Sequence, residues 1–413
     1  MNYFYGIFTG DTKGVSLLTQ KVCKVNRFNA SMSYRKFRAD YLFTGSQWLD
    51  NSHILITTEQ GEVQTIVPLA EAGDNIETHT GILSPGFINC HCHLELSHLK
   101  GLIPEKSGMI PFLLTVIRQR NFPRSQILQA IADAEAAMLK EGIVATGDIC
   151  NTADTLEQKQ PGNMYYHNFI EATGFIGPAA ASRFDECKKL YEKFAALYSI
   201  TNKPVSIVPH APYSVSPELF RLITAFPGNH LLTLHSQESE AENEFFLSGT
   251  GDFLHLFKEL QLDISFYTPP GSSSLRSCLP YFLPGQQVIL VHNAYTREED
   301  LPEAPGFYYC LCPNANKYIG NRLPDVDMLR RKNSTIVIGT DSLASNTRLS
   351  VLSEVETLYH QYPHIEIAVL LQWATLNGAR ALGVQDKLGS FETGKRPGVL
   401  IIEKDLSGVR RIL

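Results

Sequence analysis

A chain of 413 residues, 44% hydrophobic and 19% charged, can bury a large core, and its composition is that of a globular protein rather than a disordered one. A net charge of −6 argues against a nucleic-acid backbone or an anionic membrane as the main partner, and no apolar run is long enough to span a bilayer. The eight cysteines include no Cys-x-x-Cys, do not read as a disulfide framework in a chain this long, and follow no evident signal peptide, which places the protein in the reducing cytoplasm.

Residues 1–32 are Ser/Asn/Thr-rich and lack a clear period, and Met32 precedes YRKFRADYLFTG, which reads as the opening of a strand. They are expected to be an N-terminal extension, either a flexible tail or a stretch upstream of the true start. From about residue 83 onward, short apolar runs alternate with helical patterns, the rhythm of a parallel sheet with crossover helices. Strands are predicted near 84–92, 143–149, 164–171, 205–210, 231–235, 287–292, 307–312 and 335–341, with amphipathic helices such as Gln126–Glu141 and Asp185–Tyr198 between them. Eight such units fit a (β/α)8 TIM barrel, of the α/β class, better than an open doubly wound sheet, for which no Gly-rich phosphate loop is visible. TPPGSSS at 268–274 reads as a loop insertion bordering the barrel mouth.

The first predicted strand lies in LSPGFINCHCHLELSH, residues 83–98. Alternation along a strand puts His91 and His93 on one face and Cys92 on the other. Further histidines close the fourth, fifth and sixth predicted strands at His210, His235 and His292, and Asp341 closes the eighth. Five of only 13 histidines at inferred strand ends point to a metal centre, because active sites in such barrels form where the strands end.

Each residue also has a plainer reading. Asp341, in TIVIGTDSLASN, either completes the ligand set or caps a helix. Glu238 is either a first-turn acid favoured by the helix dipole or, three residues after His235, a catalytic acid reaching over the metal from the same loop. His210, in PHAPYSVSPEL, either braces its Pro-rich turn or meets substrate, and His292, in VILVHN, is a hydrogen-bonded strand-end residue that a catalytic site also needs. Glu95 and His98 face the substrate or belong to a salt-bridged loop.

Taken in order, His91-Cys92-His93 after PGFIN, PHAPYSVSPEL, His235 with Glu238, VHN, CLCPNANKYIG, GTDSLASN, ATLNGARALG and GSFETGKRPGVLII resemble the amidohydrolase superfamily, in its branch of metal-dependent aminohydrolases acting on nucleobases, nucleosides and related heterocycles. The resemblance runs from about residue 34 to the C-terminus. It implies a barrel over 83–383 and a small β-sandwich built from both chain ends, 33–82 and 384–413, in keeping with the strand-like patches ILITTEQGEVQTIVPL and GVLII. There are departures: Pro397-Gly398-Val399-Leu400 replaces the family's usual Ala-Asp-Leu, Ala315 stands where Ser is common, and no Lys lies at a strand end to bridge two metals, which favours a single ion.

On this reading His91, His93, His235 and Asp341 hold one divalent ion, Zn²⁺ first and Fe²⁺ as the alternative, leaving a position for water whose pKa falls toward ~7. Glu238 relays the water proton to a ring nitrogen and then to departing ammonia, His292 orients the attacking oxygen, and Asp341 also accepts a proton transiently. His210, Tyr213 and Glu95 are the expected substrate contacts. His93-Leu94-Glu95-Leu96-Ser97 resembles the matching stretch of aminodeoxyfutalosine deaminases, which act on an adenine nucleoside on the futalosine route to menaquinone. The expected partner is therefore a small aminated heterocycle, and the resemblance implies a homodimer or larger assembly. Hydrolysis of a cyclic amide, attack on a triazine-like ring and a non-catalytic scaffold are the alternatives.

Overall fold

Two kinds of strand appear, and they follow two kinds of apolar pattern. The computed structural model describes residues 33–199, 203–320 and 322–413; the expected extension at 1–32, with the start at Met32, lies outside the described residues. Near both chain ends the strands are short: β1 (Tyr34–Arg38), β2 (Tyr41–Phe43), β3 (Trp48–Asp50), β4 (His53–Thr58), β5 (Val63–Pro68), β6 (Glu77–Thr78) and β7 (Ile82–Ser84). The central strands are richer in apolar residues: β8 (Phe87–Cys92), β9 (Ile143–Cys150), β10 (Tyr165–Ala172), β11 (Val205–Pro209), β12 (Leu231–Ser236), β13 (Gln287–His292), β14 (Phe307–Leu311) and β15 (Thr335–Ile338). Every residue of β8, β9 and β12 is buried, as strands covered on both faces require.

The central eight form two parallel ladders, β8-β9-β10-β11 and β12-β13-β14-β15. The ladders join into a closed barrel at both seams. Between β11 and β12 the His235 N–H donates to the His210 carbonyl at 2.9 Å. Between β15 and β8 the N–H groups of Thr340 and Asp341 donate to the His91 carbonyl at 3.0 and 3.1 Å, and Asn89 exchanges hydrogen bonds with Thr340. The eight predicted strands are all present. The eighth ends at Ile338 rather than 341, because beyond it the chain bends so that Asp341 makes only an isolated bridge to Cys92.

Helices cover the barrel: α1 (Met109–Gln119), α2 (Arg124–Lys140), α3 (Leu156–Lys159), α4 (Ala180–Ala195), α5 (Pro217–Thr224), α6 (Glu240–Ser248) and α7 (Phe253–Glu259) precede the sixth barrel strand. The start of α5 is written in the sequence: Ser216 caps it by accepting the Leu219 N–H at 3.2 Å, and Pro217 takes the first helical position. The helix expected at 185–198 begins earlier, at Ala180, because the turn Gly177–Ala179 runs straight into it.

Outside the barrel, β16 (Leu400–Ile402) and β17 (Val409–Arg411) return the C-terminal end to the N-terminal strands. β16 pairs antiparallel with β7, Leu400 opposite Ser84, giving one sheet of order β17-β16-β7-β2-β3 beside a second of order β5-β4-β1-β6. Phe37, Leu42, Leu55, Leu83, Val399 and Ile401 form a common core for these strands, so the small β-sandwich is built from both chain ends.

Candidate metal centre

His91 and His93 leave β8 on one face, and the seams of the barrel bring them to residues 142 and more positions away. The Nε2 atoms of His91 and His93 each lie 3.5 Å from the Asp341 carboxylate, and His93 Nε2 is 3.3 Å from His235 Nε2. One donor atom from each of the four falls within 4.8 Å of the others, and all four residues are buried. The rings are held from behind: His235 donates from Nδ1 to the His210 carbonyl at 2.9 Å, and Asp341 accepts from Ser345 Oγ.

This cluster fits a divalent ion on its own chemistry. Nε2 of His91, which faces the Asp341 carboxylate, is buried without a hydrogen-bond partner among the described residues. A buried lone pair left unmet there costs ~1–3 kcal/mol. Because His235 donates from Nδ1, its Nε2 turns a lone pair into the cluster, 3.3 Å from His93 Nε2, where a cation can accept it. Burial and the neighbouring imidazoles push His93 down and His235 well down. Burial alone would raise the Asp341 carboxyl, but His91, His93 and His292 outweigh it and hold it well below the usual carboxylate range. Neutral imidazoles and an ionised carboxylate are the states that bind metal.

Four residues here have left-handed backbone without being glycine: Gln237 (φ 48°), His292 (φ 74°), Asn293 (φ 55°) and Asp341 (φ 54°). Such conformations cost of order ~1–3 kcal/mol each and gather where side chains must be aimed against local preference. Here they turn His292 and Asp341 toward the shared space above β8 and β12.

Glu238 and His292 meet over the cluster, with Glu238 Oε1 3.4 Å from His292 Nε2. Burial, with the charges of Asp341 and Glu242, pushes the Glu238 carboxyl well up; burial takes His292 down to about 3, so its ring is neutral. The loop carrying Glu238 is fixed by Glu242, which accepts the N–H groups of Gln237 and Glu238 at 3.1 and 3.2 Å. Spacing along the sequence gave no hint of this brace.

Around these residues lies a cavity of about 380 Å³ whose floor is His93, His235, His292, Glu238 and Asp341 and whose outer wall includes Phe112 and Val116 of α1 and Leu256 and Phe257 of α7. His210, Tyr213 and Glu95 line it too. His210 bonds Ser214 Oγ through Nδ1 at 2.7 Å, and Tyr213 packs on Phe253 with ring centroids 4.2 Å apart. Glu95 is already engaged: it accepts from the Asn151 and Thr152 N–H groups and the Thr152 hydroxyl, and Arg120 lies 3.3 Å away. His98 turns to the carbonyls of Glu95 and Arg120 and is not among the cavity-lining residues.

Among the cavity residues that escaped the sequence reading are Glu171 and Asn151. Glu171 is the penultimate residue of β10 and Asn151 follows β9, and Asn151 Nδ2 donates to Glu171 Oε2 at 3.0 Å. The signal was present, since the third predicted strand, 164–171, ends on this acid. Behind the wall, Asp148 accepts the Leu94 N–H and is ion-paired with buried Lys159, whose ammonium the Asp148 charge keeps protonated against the effect of burial.

A closed (β/α)8 barrel bearing three imidazoles and a carboxylate at its strand ends, with an acid and a fourth imidazole above them, defines a metal-dependent barrel hydrolase. The chain belongs to the amidohydrolase family, whose model matches residues 82–411. It is 28% identical over 344 residues to an aminodeoxyfutalosine deaminase of Nitratiruptor, covering 78% of this chain and 79% of that protein. It is 25% identical over 328 residues to an adenosine deaminase of Helicobacter pylori, covering 76% and 77%. In three dimensions it is similar to the crystal structure of Helicobacter pylori aminofutalosine deaminase in complex with methylthio-coformycin, with a TM-score of 0.78, 21% identity and coverage of 92% of this chain and 97% of that one.

Proposed function

We propose that the protein is a hydrolytic deaminase that releases ammonia from an aminated purine nucleoside, with aminodeoxyfutalosine as the leading substrate. The observation that carries this is the Glu238 carboxylate, buried beside His292 and above four converging ligand atoms in a cavity of nucleoside size. His91, His93, His235 and Asp341 would hold the ion, and three nitrogens with one oxygen suit Zn²⁺ ahead of Fe²⁺. When bound, the ion supplies a polarised water whose pKa is lowered toward ~7.

The chain's residues do the rest. Glu238 takes a proton from the attacking water and gives it to a ring nitrogen as the C–O bond forms; a second proton passes through Glu238 to the amine as the C–N bond breaks. Neutral His292, 3.4 Å from Glu238, directs the water and steadies the tetrahedral carbon's oxygen, and Asp341 shares the proton relay. His210, Tyr213 and Glu95 contact the substrate beyond the reacting ring. The names of the two curated relatives support the reaction and the nucleoside.

Glu238→Gln keeps the four ligands and removes the proton carrier. Its metal content should equal the wild type's while turnover on aminated nucleosides falls by roughly two to four orders of magnitude. Near-normal ammonia release from that variant contradicts the assignment, and activity on cyclic amides with none on aminopurines contradicts the reaction. The seven described cysteines are unpaired, and among the described residues no helix is long and apolar enough to cross a membrane. We place the enzyme in the cytoplasm as a homodimer, which fractionation and sedimentation would check.

A further inference from the structure

Glu171 is a buried carboxylate that the chemistry above leaves unused. It sits one residue before the end of β10, lines the cavity, and its side chain is only 5% exposed. Asn151 Nδ2 donates to Oε2 at 3.0 Å and so sets the carboxylate's orientation. Oε1 has no hydrogen-bond partner among the described residues. The nearest ring nitrogen on His235 is 3.7 Å away, and its proton is already given to the His210 carbonyl at 2.9 Å. Fixing His235 therefore does not require Glu171. A ring nitrogen of His210 lies within 4.8 Å of the same carboxylate.

A carboxylate only accepts hydrogen bonds, so whatever meets Oε1 in a closed cavity must bring a donor. An adenine-type nucleoside has donors in two places, the exocyclic amine and the sugar hydroxyls. The amine is the leaving group and belongs beside Glu238 and His292, in the loop after β12 and at the end of β13. Glu171 stands on the other side of His235 around the barrel, on β10. We propose that Glu171, oriented by Asn151, grips a ring hydroxyl of the substrate's sugar, making it the residue that selects ribonucleosides over their deoxy counterparts. This inference rests on the deaminase reading above and adds a specificity determinant to it.

The test compares kcat/KM for the aminopurine nucleoside that the wild type handles best with that for its 2′-deoxy and 3′-deoxy forms, in wild type, Glu171→Gln and Glu171→Ala, with metal content measured in each. The wild type should prefer the ribonucleoside over at least one deoxy form by roughly ten- to a hundredfold, the range a hydrogen bond to a charged group supplies. Glu171→Ala should bring that ratio near one by losing activity on the ribonucleoside alone, with Glu171→Gln in between and metal content unchanged. A wild type indifferent to both hydroxyls overturns the inference without any variant having to fold. So does a variant that slows all three substrates equally or loses metal, since that is the mark of a structural role. Ammonia release from no aminopurine nucleoside at all removes the deaminase reading and this inference together, whereas release with an unaltered ratio removes this inference alone.

Discussion

Gly339 shows how tightly the site is held from below. A Cβ built there would lie 2.8 Å from the His91 Cβ, 2.7 Å from Cys310 Sγ and 3.0 Å from Cys312 Sγ, so a side chain on β15's continuation displaces His91 or its neighbours. Gly339→Ala should cost about 1–3 kcal/mol in denaturant unfolding, the usual range for overpacking, and should weaken metal affinity. Adding Cys310→Ala, which removes the nearest sulfur, should restore part of both; metal affinity unchanged in the single variant would show that His91 is not held through this contact. The convergence of His91, His93, His235 and Asp341 was readable in sequence because strand alternation and strand ends fix where these side chains go. Glu171 and Asn151 were not, since an acid closing an apolar run looks the same whether it meets solvent or a cavity. Only the fold brings them together, from β10 and the end of β9.

At the scale of elements, the barrel strands were legible for a simple reason: parallel strands buried on both faces leave runs rich in apolar residues, such as the six residues of β8 and the eight of β9, with only a few polar side chains between. What covers the barrel mouth was not. Phe245 and Phe246 of α6, Phe253 and Phe257 of α7 and Met109 and Phe112 of α1 form a second apolar cluster above the strand ends. An ion pair of 2.8 Å between Arg118 and Glu259 joins α1 to α7. In sequence these are separate short amphipathic pieces, and TPPGSSS reads as a loop with no hint that Tyr267, just before it, stacks on Phe245 with ring centroids 4.3 Å apart. Contacts between segments carrying similar apolar patterns have no signature in either segment alone. The same limit applies to Asp341, whose run of apolar residues reads as strand to its end although the chain has already bent away at Ile338.

At the scale of the whole molecule, burying so many acids sets a pH dependence. Burial lifts Glu95 and Glu242 to about 7 and Glu354 to about 8, against backbone and side-chain donors that partly offset it. In the unfolded chain these acids lose their protons near 4.5, while the folded protein keeps them to pH 7–8. The folded state therefore binds more protons in that window, and stability falls as pH rises through it. His167 and His292, which burial takes down to about 3, act oppositely but only below about 6.5, where unfolded imidazoles charge. Metal-depleted protein should therefore be less stable at pH 8 than at pH 6.5 in urea unfolding, and Glu354→Gln should flatten that slope even if it lowers stability overall. A slope that is zero or rises with pH contradicts these environments.

Metal content joined to ammonia release reaches the central claim most directly. Protein purified without chelators should carry about one zinc or iron per chain, as a single three-nitrogen, one-carboxylate site requires. Asp341→Ala and His235→Ala should each lose it, chelation should stop ammonia release from aminated nucleosides, and added Zn²⁺ should restore it. Wild-type protein that binds no divalent ion, or that binds it equally well without Asp341 and His235, would contradict the convergence of these four side chains on one ion.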